Sequence, residues 1–410
     1  MPKTARSVQE FRAGLDSFLI YHSRGSAIEH LQEIFESHDI DAALVVNDQG
    51  SDPRALEAVR TAANGAGIRL ATSRIVATEE RKTLIVLEEI LGAFFRELNG
   101  TRKSAIIAVG GGITSNLAGL AAAIIYRGIR LVHVTTTLLS AHDVASSSLK
   151  QAINFDGRKN VLGAYLAPCA VVVDVEFLST LPTRELASGI GELLKNGLLF
   201  GGTDLEVARE AIVWLCSSDE ARDDSRLSQF ISAGIAAKQR FLLNDEFERK
   251  DAVVFEFGHT FGHALELTLP DARHGECVAL GALFACRVAH RLGLMGTPCL
   301  DEVSELVRSL RPQAIAPNET SFDRLKDDLL RQIRTDNKRG YIKDGSEHEI
   351  AMVLIDSIGS LHGHRSLPVT AVPYAAVEEE VNSFVLEILS GVWQAGWSER
   401  VAHERPELNS

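Results

Sequence analysis

The sequence predicts an α/β protein in two parts, a parallel β-sheet covered by helices and then a mostly helical half, on three observations. Short apolar runs alternate with helix-period segments from Asp41 to Val134. A glycine cluster, Val109-Gly110-Gly111-Gly112, falls between a predicted strand and a predicted helix. After Leu181-Pro182, clusters of β-branched residues become rare and helical periodicity runs to about Leu310.

The first strand expected is the apolar run Ala42-Ala43-Leu44-Val45-Val46, and a helix should begin at Pro53, since proline suits a first helical turn. Next come a strand from Ile68 to Val76, a long helix from Glu79 to Leu98 and a strand from Ser104 to Val109. A helix from Thr114 and a strand from Ile129 to Val134 complete the set. This βαβ rhythm predicts a Rossmann-like parallel-sheet domain over 1–181. A mostly α-helical metal and substrate domain over 182–395 and a polar tail over 396–410 should follow. Within the second part, Pro312 to Thr320 reads as a loop and Glu349 to Ile355 as an isolated strand.

With 410 residues, 45% of them hydrophobic, the chain can bury a large core. A net charge of -13 argues against nucleic acid as a partner, because a phosphate-binding surface carries basic excess. The five cysteines are odd in number, widely spaced and without a C-x-x-C pair, which fits a reducing, cytoplasmic compartment. No apolar run reaches the ~18 residues of a membrane span, and Met1-Pro2-Lys3-Thr4 leads into polar sequence with no secretory apolar region.

The chemistry is densest at Glu256-Phe257-Gly258-His259-Thr260-Phe261-Gly262-His263 and His274-Gly275-Glu276. On a helix, His259 and His263 project from one face. They suit two metal ligands, one ligand beside a proton carrier, or simply capped or surface histidines. Glu192 and Lys195, three residues apart, add a further ligand and a cation. Thr260 stands where a hydrolytic zinc helix would need glutamate. Cys277, near His274, reads more readily as a buried structural thiol than as a reactive one.

The glycine turn lets backbone amides and a helix N-terminus approach a pyrophosphate. It does not satisfy G-x-G-x-x-G, so a purely structural turn stays open. Asp48, ending the first strand, suits a ribose hydroxyl or a helix cap. Glu79 and Lys82 have the spacing of a surface ion pair. Asp143, Lys150, Asn154, Lys159, Lys195, Lys238 and Lys338 are each compatible with a solvated surface. Were they to converge beside a metal, they would suit a phosphorylated, polyhydroxylated substrate.

Taken together, these blocks resemble the sugar-phosphate cyclases of the dehydroquinate synthase superfamily from about Ala42 to Gly359. They are Gly110-Gly111-Gly112, Tyr126-Arg127-Gly128, Thr136-Thr137-Leu138-Leu139, Asp143 with Lys150 and Asn154, Gly191-Glu192-Leu193-Leu194-Lys195, Phe257-Gly258-His259-Thr260 with His263, His274-Gly275-Glu276 and Asp336-Asn337-Lys338. The resemblance implies a dehydroquinate synthase-like fold, NAD, and one divalent metal, zinc or cobalt, on Glu192, His259 and His274. It places Lys150, Asp143, Asn154, Lys195, Lys238, Glu256, His263 and Lys338 around a sugar phosphate, and Arg127 on a phosphate across a homodimer interface. NAD would lie along Asp48, Glu79, Lys82, Gly111, Gly112, Asn116, Thr136, Thr137 and Lys159.

Departures from dehydroquinate synthase itself bear on the substrate. That enzyme usually has aspartate at Asn116, asparagine at Glu256 and, near Ala252, an arginine that pairs with a substrate carboxylate. Without the arginine a carboxylate loses a bidentate partner, and Glu256 adds repulsion. The pattern around Glu256, Ser148-Leu149-Lys150-Gln151-Ala152 and Asp336-Asn337-Lys338-Arg339-Gly340-Tyr341 resembles the branch that turns glucose 6-phosphate into 2-deoxy-scyllo-inosose, an aminoglycoside precursor. The Asp143 to Lys150 spacing is one residue longer than that family's, and Thr135 replaces a usual proline. Alternatives are a cyclase for sedoheptulose 7-phosphate or for the dehydroquinate precursor, a metal-dependent polyol dehydrogenase, or a non-catalytic nucleotide binder.

Overall fold

The apolar run from Ala42 to Val46 has no polar alternation because its strand lies inside a sheet covered on both faces. The computed structural model describes residues 6–145, 148–217, 222–342, 348–363 and 367–394. Its first part comprises β1 (Ser7–Ala13), β2 (Asp16–Ser23), α1 (Ala27–Ser37), β3 (Ala42–Asp48), α2 (Pro53–Ala66), β4 (Arg69–Ile75), α3 (Leu84–Arg96), β5 (Ala105–Gly110), α4 (Gly112–Ile124) and β6 (Arg130–Thr135). The hairpin β7 (Lys150–Phe155) and β8 (Arg158–Tyr165) precedes β9 (Ala170–Asp174).

Seven strands form one sheet in the order β1-β2-β9-β6-β5-β3-β4, parallel throughout except between β1 and β2. Helices α1 and α2 pack on one face with Val45, Ile107 and Val132, and α3 and α4 on the other with Leu44, Ile106 and Leu131. From β3 the chain steps outward to β4 and then back across to β5. This places a topological switch point between the carboxyl ends of β3 and β5, where open α/β sheets bind ligands.

The second part is α5 (Thr183–Phe200), α6 (Gly202–Cys216), α7 (Ser225–Leu242), α8 (His259–Thr268), α9 (His274–Arg291), α10 (Thr297–Leu310) and α11 (Phe322–Arg334). Short strands β10 (Glu349–Met352), β11 (Ile355–Ser357), β12 (Ser360–Leu361) and β13 (Thr370–Pro373) lead to α12 (Tyr374–Leu389). Helices α5 and α9 cross at backbone contact: a Cβ on Gly275 would meet the Ser188 carbonyl oxygen at 1.7 Å, and one on Gly191 the Gly275 oxygen at 2.1 Å. Helices α8 and α9 do the same at Gly281, whose Cβ would lie 1.9 Å from the Gly258 oxygen.

Two expectations need correction. The helix from Glu79 to Leu98 is interrupted: Glu79–Arg81 is a 3-10 turn and α3 starts only at Leu84. The Lys82 carbonyl accepts a 2.8 Å bond from Asn154 N, and its Nζ donates to Asn160 Oδ1 at 2.6 Å. These bonds to the β7–β8 hairpin override the local helical pattern, so Glu79 and Lys82 face the hairpin and not solvent. Nor is Glu349 to Ile355 an isolated strand. Its first half, β10, pairs antiparallel with β13, and its end begins β11, which pairs with β12. The tail over 396–410 lies outside the described residues.

Candidate active site

Two helix starts and the middle of a third helix meet at one point. Glu192 lies in mid-α5, His259 opens α8 and His274 opens α9. Both imidazole Nε2 atoms stand 3.3 Å from Glu192 Oε1. The far nitrogens are also held, His259 Nδ1 at 3.1 Å from the Phe257 carbonyl oxygen and His274 Nδ1 at 2.9 Å from Glu266 Oε2. Each ring thus presents Nε2 to the cluster.

The Glu192 carboxylate is fully buried. Neither of its oxygens takes a well-directed hydrogen bond, although Lys195 Nζ lies 2.6 Å from Oε2. Burial alone would raise this carboxyl, but Lys195 and then His259 hold it well below the usual carboxylate range. A buried anion with under-used oxygens and two imidazole nitrogens within 4.8 Å of one another form a donor set that fits a divalent metal.

The cluster opens onto a cavity of about 450 Å³. Of the residues expected around a substrate, Asp143, Lys150, Lys195, Lys238, Glu256, His263 and Lys338 line it together, so the convergence of lysines is real. Each ammonium is matched with a carboxylate. Lys150 lies 2.7 Å from Glu248 and 3.8 Å from Glu256, Lys338 3.2 Å from Glu256 and 2.8 Å from Asp336, and Lys238 2.7 Å from Asp143. Burial would raise Glu256, yet Lys338 and Lys150 hold it well below its ordinary value. For Lys150 and Lys338 burial works toward deprotonation but is outweighed by their carboxylates, and both end up raised. His263 is pushed well down by burial and then by Lys159 and His259, leaving a neutral imidazole 5.1 Å, ring to ring, from His259.

Two expected residues lie elsewhere. Asn154 does not line the cavity: its amide donates to Glu79 Oε1 at 2.9 Å and its oxygen accepts from Asn160 N, pinning the hairpin, while Asn160 lines the cavity instead. Arg127 is exposed in the turn after α4, away from the cavity lining. Tyr126 and Arg127 both have positive φ, 50° and 67°, a strained pair of non-glycine residues.

At the switch point, α4 starts at Gly112 with no side-chain cap, so its first amides are directed at the crevice beside Thr136 and Thr137. Gly111 is its N-cap, and the Thr137 hydroxyl accepts from Ser140 N. Asp48 Oδ1 accepts from Ala77 N at 3.2 Å, fixing the chain as it leaves β4. Asn116 joins α4 to β7, donating to the Gly112 oxygen and accepting from Ala152 N, both at 2.8 Å. Lys159 is buried between Glu79 and Glu266. The uncapped helix start at a switch point fits the pyrophosphate of a dinucleotide.

Sequence reasoning missed Glu248, Asn160 and Tyr165, all in the cavity wall. No local spacing marks them; only the fold brings them in. It also missed Glu266, whose position three residues after His263 on the same helix was an available signal. Cys277 is buried, and burial, then Glu266 and Glu276, raise its thiol well above its ordinary value, which fits a structural thiol.

The family models for 3-dehydroquinate synthase match this chain in two adjoining pieces, the N-terminal one over residues 72–188 and the C-terminal one over 189–339. The chain belongs to the sugar-phosphate cyclase family of dehydroquinate synthase-like enzymes. Among its relatives, it is 38% identical to 2-deoxy-scyllo-inosose synthase of Micromonospora echinospora over 287 residues, covering 70% of each chain. It is 33% identical to the enzyme of the same name from Niallia circulans over 361 residues, covering 86% of this chain and 94% of that one. A crystal structure of 2-deoxy-scyllo-inosose synthase complexed with carbaglucose-6-phosphate, NAD+ and Co2+ superposes with a TM-score of 0.80 at 28% identity, over 92% of this chain and 100% of that one. No helix among the described residues is long and apolar enough to cross a membrane.

Proposed function

We propose that this chain converts glucose 6-phosphate to 2-deoxy-scyllo-inosose and inorganic phosphate as an NAD- and metal-dependent carbon–oxygen lyase. The observation that carries the reading is the single cavity in which the donor set Glu192, His259 and His274 meets Lys150, Lys238, Lys338 and Glu256. In this reading residues 1–181 supply the dinucleotide side and, through Asp143 and the β7–β8 hairpin, part of the substrate wall, while 182–395 supply the metal end and the rest of that wall. Bound there, a zinc or cobalt ion would supply Lewis-acid polarisation of a sugar hydroxyl, and NAD a reversible hydride acceptor at C4, so that no net oxidation results.

The residues do the rest. Lys150, Lys238 and Lys338 sit as protonated donors whose present carboxylate partners a phosphate can replace. Glu256 accepts a sugar hydroxyl, and Glu248, beside Lys150, is a second carboxylate in reach. Once C4 is a ketone, the C5 hydrogen is acidified; neutral His263 and Lys195 are placed to handle protons as the C6–O bond to phosphate breaks. The sugar then opens and closes into the carbocycle, and the cavity walls keep its ends together. Ala252 is fully buried and contributes nothing to the lining, so that position offers a substrate carboxylate no bidentate partner; the guanidinium in the lining is that of Arg249. That favours a neutral sugar phosphate.

The enzyme is further read as a cytoplasmic homodimer. Five unpaired cysteines favour a reducing compartment. Leu84, Ile85, Phe95, Ile124 and Tyr126 are exposed on α3, α4 and the turn after them, with Phe95 packed edge-on against Tyr126. A twofold contact there would bury them and point the strained Arg127 toward the partner's phosphate. Incubation of metal-loaded enzyme with glucose 6-phosphate and NAD, followed by phosphate release and product NMR, tests the reaction. NADH accumulating in step with substrate loss would identify a polyol dehydrogenase instead.

A further inference from the structure

Glu266 is a buried carboxylate on α8 that does not line the cavity, and its charge therefore needs another purpose. Its Oε2 is 2.9 Å from His274 Nδ1 and is also clamped by Lys159 Nζ from the β7–β8 hairpin. A carboxylate can only accept, so Nδ1 of His274 carries a proton, and Nε2, 3.3 Å from Glu192 Oε1, is the ring nitrogen turned toward the other two donors. His259 differs: its Nδ1 meets a neutral carbonyl, that of Phe257.

We propose that Glu266, held in place by Lys159, is a positioning residue that fixes the tautomer and ring direction of His274 and thereby sets the affinity of the metal site. The inference rests on the reading of Glu192, His259 and His274 as the donors. Of the two histidines, His274 is the one made the more basic donor, because an anion stands behind it. Lys159 does two things. It neutralises an otherwise uncompensated buried carboxylate, and its Nζ lies 3.6 Å from Glu79 Oε1, so the hairpin, the turn after β4 and the ring of His274 form one chain of contacts.

The test uses the full chain stripped of metal with a chelator and titrated with Co(II), following d–d absorption and competition with a chelator of known affinity. Glu266→Gln keeps the shape and removes the charge, and should weaken Co(II) binding roughly 10- to 100-fold and change the absorption band. Glu266→Asp, which keeps the charge, should recover part of the loss. His274→Ala should lose stoichiometric binding. Wild-type affinity and spectrum in Glu266→Gln, with His274→Ala deficient, would overturn the positioning role while leaving the donor set intact. Full retention of metal by His274→Ala would overturn the donor set and this inference together.

Discussion

Glu256 places one carboxylate oxygen 3.2 Å from the ammonium of Lys338 and the other 3.8 Å from that of Lys150, bridging two cations across the cavity. Lys338 keeps Asp336 and Lys150 keeps Glu248 if this bridge is lost. Glu256→Gln should therefore fold, yet lose on the order of 1–3 kcal/mol of transition-state binding for glucose 6-phosphate. Comparing kcat/KM for glucose 6-phosphate, sedoheptulose 7-phosphate and the carboxylated dehydroquinate precursor checks this. The variant should narrow the wild type's preference against the carboxylated substrate; an unchanged ratio would remove Glu256 from substrate selection.

His259→Ala should lower metal content well below one ion per chain, because it deletes one of three donors. Elemental analysis after dialysis reads it directly. Stoichiometric metal in the variant would show that the ion sits elsewhere.

Phosphate should appear in many-fold excess over the NAD supplied, with no steady rise in NADH absorbance. This follows from a hydride that leaves the sugar and returns to it. The two quantities can be followed in the same cuvette with a coupled phosphate assay.

His133, in central strand β6, is 1% exposed with Nδ1 unpartnered, and burial pushes its imidazole down to about 3. Its value in the unfolded chain is near 6.5. Between those limits the unfolded chain takes up a proton that the folded chain does not, so stability falls as pH falls from about 6.5 toward about 3. The slope from this one residue approaches about 1.4 kcal/mol per pH unit. His133→Leu should flatten the decline in urea midpoint between about pH 7 and about pH 5 by roughly one proton's worth. An equally steep decline in the variant would assign the acid sensitivity to other groups.

Ile85→Asp with Phe95→Asp should convert a dimer to monomer in sedimentation, since two charges would have to be desolvated in the contact. If Arg127 serves a neighbour's site, activity should fall with dimer content.

The parallel core was legible because strands buried on both faces read as unbroken apolar runs, as in β3 and β5. The β1–β2 hairpin escaped because β1, at the sheet edge, alternates weakly, with Ser7 to Glu10 all exposed. The β7–β8 hairpin escaped for a different reason. Its polar residues either line the cavity, as Lys150 and Asn160 do, or bind neighbouring elements, as Asn154 and Lys159 do, and they interrupt any strand pattern. In the site, the spacings of Glu192 with Lys195 and of His259 with His263 were readable as helix faces. That His274 joins them depends on α9 crossing α5, which the sequence pattern alone does not encode. Glu248 was hidden in a polar stretch whose approach to Lys150 is purely tertiary.

The glycine crossings at Gly191–Gly275 and Gly258–Gly281 divide the molecule's evolutionary freedom unevenly. Main chain lies on main chain there, so even a methyl group would wedge the helices apart and separate Glu192 from the two histidines. The opposite wall, carried by the β7–β8 hairpin and the Glu248 to Glu256 stretch, is built from side chains that can be exchanged one at a time. A lineage, or an engineer, can therefore retarget the sugar by editing that wall while the metal end is inherited unchanged.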